Sequence, residues 1–185
     1  MAVAATIEVW DPLVRLFHWS LTAFFCLAYF LEGEWLNMHS HAGYTVFLLV
    51  VFRIVWGVIG PRHARFSDFV SPPGTAIAYL KQLVNNTANR HIGHNPAGSA
   101  MIVALLLTLS VTTLSGMALF ATEGSGPLAA TFVAFWPGHV LAEVHEISTD
   151  FTLVLVIVHV AGVLLTSVRH KENLTRTMIT GSKRR

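Results

Sequence analysis

A helix must run for roughly 20 apolar residues to cross about 30 Å of hydrocarbon. Four stretches of this chain approach that length with few charges: residues 13–31, 43–59, 100–121 and 151–168. Over 185 residues, 54% are hydrophobic and only 12% are charged, and the mean hydropathy is +0.59, a composition that excludes an ordinary soluble domain. The predicted fold is an all-α integral membrane protein, a four-transmembrane-helix bundle with spans at about 13–31, 40–59, 99–121 and 146–168. No internal repeat or composition break divides the chain, so residues 1–185 are read as one membrane domain. Glu8 and Asp11 precede the first span where a secretory signal would carry basic residues, so that span is expected to stay in the mature protein. The one cysteine, Cys26, lies inside the span; it allows no intramolecular disulfide and is expected to be a small buried hydrophobe.

Charge placement gives the orientation. With the N-terminus in the cytoplasm, all twelve basic residues fall on or toward the inner side, from Arg15 and Arg53 through Arg62, Arg65, Lys81 and Arg90 to Arg169, Lys171, Arg176 and the closing Lys183, Arg184 and Arg185. The outer connections carry Glu32, Glu34, Glu123, Glu143, Glu146 and Asp150. The positive-inside rule then sets both termini in the cytoplasm. The final Lys-Arg-Arg reads as a basic tail against an anionic leaflet, and nucleic-acid binding is not expected. Between spans two and three, Pro72-Pro73-Gly74 and the spacing of Ile77, Leu80, Leu83 and Val84 predict a short interfacial helix. Asn95 and Pro96 read as the cap and first residue of span three. Phe132 to Trp136 is expected to rest in the outer interface.

An ionisable group at membrane depth is costly and marks function by default, so the histidines organise the site reading. His18 lies just inside the inner end of span one, His39 opens span two at the outer face, His145 opens span four there, and His159 lies deep in span four. His145 and His159 are fourteen residues apart, close to four helical turns, which puts both rings on nearly one face about 21 Å apart along the axis. Depth matches His145 with His39 and His159 with His18. Two imidazoles from facing helices at one level suit the axial ligation of a haem iron in a bundle core. Zinc would need three or four ligands at one level, and no acidic residue stands near His159. Gly43 and Gly162, close after His39 and His159, would leave room for a flat macrocycle or serve close helix packing. Arg53 sits fourteen residues after His39, where it would meet a haem propionate or snorkel to the inner headgroups. His94, at the inner end of span three, would bond a propionate or act as an interfacial cap. His41 points about 160° away from His39 round the helix. His63, His91, His139 and His170 fall in connections or the tail and are expected to be solvated.

The chain carries Trp10-Asp11-Pro12 with Arg15-Leu16-Phe17-His18-Trp19, His39-Ser40-His41-Ala42-Gly43-Tyr44 and Phe52-Arg53-Ile54-Val55-Trp56-Gly57. Gly60-Pro61-Arg62-His63-Ala64-Arg65-Phe66, Gly93-His94-Asn95-Pro96, His145-Glu146, His159-Val160-Ala161-Gly162 and Glu172-Asn173-Leu174 follow, and Met178-Ile179-Thr180-Gly181 closes the set. Over nearly its whole length it thereby resembles the prokaryotic cytochrome b561 and nickel-iron hydrogenase b-type cytochrome subunits. The resemblance implies two haems b with iron ligands His18, His159, His39 and His145. It favours His39 over His41, because the family's outer ligand stands four residues before the glycine that is Gly43 here; His41 is a departure. It further implies a multi-pass protein of the bacterial inner membrane that moves electrons between the quinone pool and a periplasmic redox protein, a c-type cytochrome or a hydrogenase. Such a chain is an electron-transfer protein or oxidoreductase subunit rather than a stand-alone enzyme, with no catalytic side chain assigned. The alternative is a self-contained quinone oxidoreductase that uses a small reductant such as superoxide. Membrane lipid and quinone are the other expected contacts, and a homodimer is compatible with all of this.

Overall fold

The structure, a computed structural model, describes residues 6–184 apart from Glu32 and Glu34, so those two acids and Arg185 lie outside the described residues. Along the chain run β1 (Thr6–Glu8), α1 (Pro12–Phe30), α2 (Leu36–Ile59), α3 (Phe66–Phe69), α4 (Pro73–Val84), α5 (Pro96–Thr122), a 3₁₀ turn at Phe132–Phe135, α6 (Gly138–Arg169), α7 (Leu174–Thr180) and β2 (Ser182–Arg184). Among the described residues, α1, α2, α5 and α6 are long and apolar enough to span a membrane. Large apolar side chains stand exposed along them, among them Leu48, Leu107, Ile157 and Leu164, as a lipid solvent requires. Cys26 is exposed too, not buried as expected, because a span facing lipid has no need to hide an apolar side chain inside protein.

The helices outrun the hydropathy pattern. Span four begins not at His145 but at Gly138, seven residues earlier, right after Trp136-Pro137. A hydropathy window ends where charges appear, whereas a helix ends at a stop signal, so Glu143, Glu146 and Asp150 ride on the helix and His145 lies about two turns inside it. The cap of α5 is as anticipated: Asn95 Oδ1 accepts from the Gly98 amide at 2.7 Å, with Pro96 first in the helix. A helix, α4, does form between spans two and three.

The chain gathers into two compact units. The first comprises Met1–His18, Arg53–Ala104 and Leu155–Arg185. Within it β1 and β2 pair antiparallel, Ile7 opposite Lys183. Asp11 caps α1, its Oδ1 accepting from the Leu13 and Val14 amides at 3.0 and 3.1 Å. Gly181 ends α7 at φ +82° and its carbonyl accepts from the Val9 and Trp10 amides at 2.9 and 3.0 Å. Arg15 donates to the Ile179 carbonyl at 2.6 Å. Lys183 is therefore no free tail residue: it is 5% exposed, held in β2. Three-residue strands carry no legible alternation, so nothing in the residue pattern marks this segment as a strand. In the same unit Gly57 lets the Phe66 ring approach; a Cβ there would fall 2.1 Å from it.

The second unit comprises Trp19–Phe52 and Leu105–Val154. Here α5 and α6 meet through hydroxyls: Thr112 bonds Ser148 at 3.0 Å and lies 3.4 Å from Thr152, which is fully buried. Small hydroxyl residues allow the close backbone approach that substitutes for hydrophobic driving force between helices in lipid.

Candidate functional site

In the second unit, α2 supplies His39 and α6 supplies His145. Their ring centroids are 6.1 Å apart and their planes nearly perpendicular, at 83°. Each ring is fixed through Nδ1. His39 Nδ1–H donates to the Ala28 carbonyl at 2.8 Å, and His145 Nδ1–H donates to the Thr112 carbonyl at 2.8 Å, with the Ser115 hydroxyl 3.4 Å from the same nitrogen. A carbonyl only accepts, so the proton resides on Nδ1 in both rings and the Nε2 lone pairs are left for a ligand, the usual outer-sphere arrangement of metal-ligating histidines. Gly116 sets the position of the His145 ring, since a Cβ there would lie 2.7 Å from its Cε1.

Both histidines line a cavity of about 510 Å³, within the range of small-molecule and cofactor sites. Gly43 lines it as well, and a Cβ added there would meet nothing within 4 Å; the missing side chain opens space instead of admitting a neighbouring helix. The buried Tyr44 hydroxyl, also on the cavity, has no hydrogen-bond partner among the described residues. His41 stands apart from the cavity lining, exposed, and donates back to the Asn37 carbonyl of its own helix at 2.6 Å. The donor set and the cavity fit a haem, which His39 and His145 would hold through their Nε2 atoms.

In the first unit, His18 and His159 lie within electrostatic reach of each other, and His159 likewise of His94. Gly162 again faces open space, with nothing within 4 Å of an added Cβ. Arg53 is 3% exposed, its guanidinium 4.9 Å from the Phe66 ring centre and 5.8 Å from that of Phe69. Its Nη1 has no hydrogen-bond partner among the described residues, and neither has the buried Nδ1 of His94. His94 packs on Trp10 at 4.5 Å and on Phe69 at 4.4 Å. Burial first, and then the Arg53 charge, push the His94 imidazole down to about 3 and keep it neutral. A buried guanidinium and a neutral imidazole with unspent capacity suit a carboxylate-bearing group. Of the two readings of Arg53, snorkelling is the poorer description, because the head is buried.

The structure thus brings His39 to His145, His18 to His159, and Arg53 to His94. Among the described residues no three His, Cys, Asp or Glu side chains converge. Of the histidines expected to be solvated, His139 is exposed, but His63 and His91 are half-buried, His91 edge-on to Tyr79 at 5.3 Å, and the His170 Nε2 is buried. The folding of the loop and terminal segments over them has no counterpart in spacing along the chain. The Ala28 and Thr112 carbonyls escaped sequence reasoning because backbone acceptors have no side-chain signature. Gly116, a lone glycine inside an apolar span, was the one signal available.

Four membrane-length helices that carry imidazole pairs define a multi-pass membrane protein of the b-type cytochrome kind. The prokaryotic cytochrome b561 family model matches residues 9–181, and the chain belongs to that family. It is similar to the probable Ni/Fe-hydrogenase B-type cytochrome subunits of Rhizobium leguminosarum bv. viciae (23% identical, covering 96% of this chain and 89% of the relative), Cupriavidus necator (26%; 94% and 85%) and Azotobacter vinelandii (24%; 95% and 87%). No solved structure gives a significant match. Family membership implies haem b and a role in electron transport.

Proposed function

We propose that this chain is a dihaem cytochrome b of the bacterial inner membrane, passing electrons across the bilayer between the quinone pool and a redox protein on the periplasmic side. His39 and His145 would hold one haem, and His18 and His159 the other, with Arg53 and His94 receiving carboxylates at the second. The haem would supply a one-electron couple when bound; the chain would supply the imidazole nitrogens, with the tautomers of His39 and His145 fixed by the Ala28 and Thr112 carbonyls. The observation that carries the reading is the His39–His145 pair, each Nδ1 anchored to a carbonyl and each Nε2 left for a ligand at one cavity. The names of the relatives make a hydrogenase the favoured periplasmic partner, with a c-type cytochrome as the other candidate. Glu123, Glu146 and Asp150 line the cavity and would suit a partner with a basic patch, while disfavouring an anionic reductant such as superoxide.

Reduced-minus-oxidised spectra of purified variants test the assignment. His159→Ala should halve the haem content and spare the His39–His145 haem, and His145→Ala should do the reverse. Loss of both haems from either substitution would sink the two-site reading.

A further inference from the structure

Lys183 is 5% exposed, yet its ammonium makes one long hydrogen bond, to the His91 carbonyl at 3.4 Å. Burying a cation that makes a single hydrogen bond among the described residues is costly unless a counter-charge is near. The carboxylate within its reach, Glu172, is already paired with Arg90 at 3.0 Å. Lys183 instead lies over the Trp10 ring at 5.7 Å, and Trp10 packs on His94 at 4.5 Å. Arg53 reaches the same imidazole by way of Phe69, 5.8 Å from the guanidinium and 4.4 Å from the His94 ring. Two buried cations, one from a membrane-spanning helix and one from the C-terminal strand, therefore act on one neutral imidazole with a buried, unpartnered nitrogen. Arg53 also has an unpartnered nitrogen among the described residues; Asp11 is the carboxylate within its electrostatic reach, yet no hydrogen bond joins that nitrogen to it, so hydrogen-bonding capacity in this cluster is left for a further anion.

We propose that Lys183 is a positioning residue of the His18–His159 haem site: a fixed positive charge, delivered by β2, that balances the haem carboxylates together with Arg53 and holds that haem at a higher reduction potential. A nearby cation disfavours the oxidised iron, which carries one more positive charge than the reduced, so the sign of the effect is set by electrostatics alone. The pairing of β1 with β2 is what keeps the ammonium beside Trp10, which gives the terminal ribbon a role in the redox chemistry as well as in closing the fold.

The proposal rests on the two-haem reading and is tested separately from it. The two haems of the purified protein are titrated potentiometrically and resolved by their alpha bands and low-temperature EPR signals. Lys183→Met should lower the potential of one haem, the one lost in His159→Ala, and leave the other unmoved; Lys183→Arg should keep it near the wild-type value. Unchanged potentials in a fully loaded Lys183→Met protein would overturn the proposal, as would an equal fall at both haems. Equal haem loss in the Met and Arg variants would show a clasp whose shape matters and whose charge does not, which overturns it as well. A wild-type protein with a single haem would instead defeat the underlying two-site reading.

Discussion

An imidazole ligates through one nitrogen, and the other nitrogen decides which. At His39 and His145 that choice is made by backbone carbonyls of neighbouring helices, Ala28 and Thr112, so the tautomer follows from helix packing and no second side chain is needed. The candidate histidines themselves were legible, because histidines in charge-poor spans stand out as groups that cost free energy there. The carbonyls were not legible, since any residue type offers one. Gly116 lies between these cases. It takes part in no hydrogen bond through a side chain, yet the His145 ring occupies the volume a Cβ would need. Gly116→Val should displace that ring and weaken haem binding at the His39–His145 site about 10- to 100-fold, the usual cost of disturbing a ligand's support. Gly74→Ala, where an added Cβ meets nothing, should leave both haems in place. Haem titration of the apoproteins measures the difference; tight binding at both sites in Gly116→Val would mean that the ring finds another seat.

At the scale of elements, the four spans were readable because an apolar run of bilayer length has little use except in crossing a bilayer, and α4 because Pro72-Pro73-Gly74 announces its start. The ends of the spans were read less well. Hydropathy reports the depth of the hydrocarbon, while α6 continues two turns past it to the stop at Pro137-Gly138. The β1–β2 ribbon was invisible: its register is fixed by contacts at Gly181 and Arg15, which belong to distant parts of the sequence. Gly181 stands at φ +82°, and a Cβ there would lie 2.9 Å from the Trp10 carbonyl oxygen. Gly181→Val should therefore cost at least the left-handed penalty of about 1–2 kcal/mol and lower the thermal midpoint of the detergent-solubilised protein followed by circular dichroism. The His39–His145 haem should survive, because its cavity is lined wholly by residues of the other unit. An unshifted midpoint would show that the ribbon contributes little to the fold.

For the molecule as a whole, charge and connectivity together set direction. The connection between α2 and α5 holds Arg62, Arg65, Lys81 and Arg90, and the segment after α6 holds Lys171, Arg176, Lys183 and Arg184; the segment between α5 and α6 has acidic Glu123 and no basic residue. Four spans return the chain to the side on which it began, and the pairing of β1 with β2 requires both ends on one side of the membrane. Insertion the other way would carry all these cations outward against the positive-inside bias. Both termini should therefore be cytoplasmic, which would put the His39–His145 haem toward the periplasm and the His18–His159 haem toward the cytoplasm. Alkaline phosphatase, active only outside the cytoplasm, should be silent when fused after Arg184 and active when inserted after Ser125; a green fluorescent protein fusion should give the opposite pattern. The reverse result would exchange the two haems between the faces of the membrane and move the proposed redox partner to the cytoplasmic side, while leaving the ligand pairs untouched, since those depend on helix packing and not on the sign of the membrane axis.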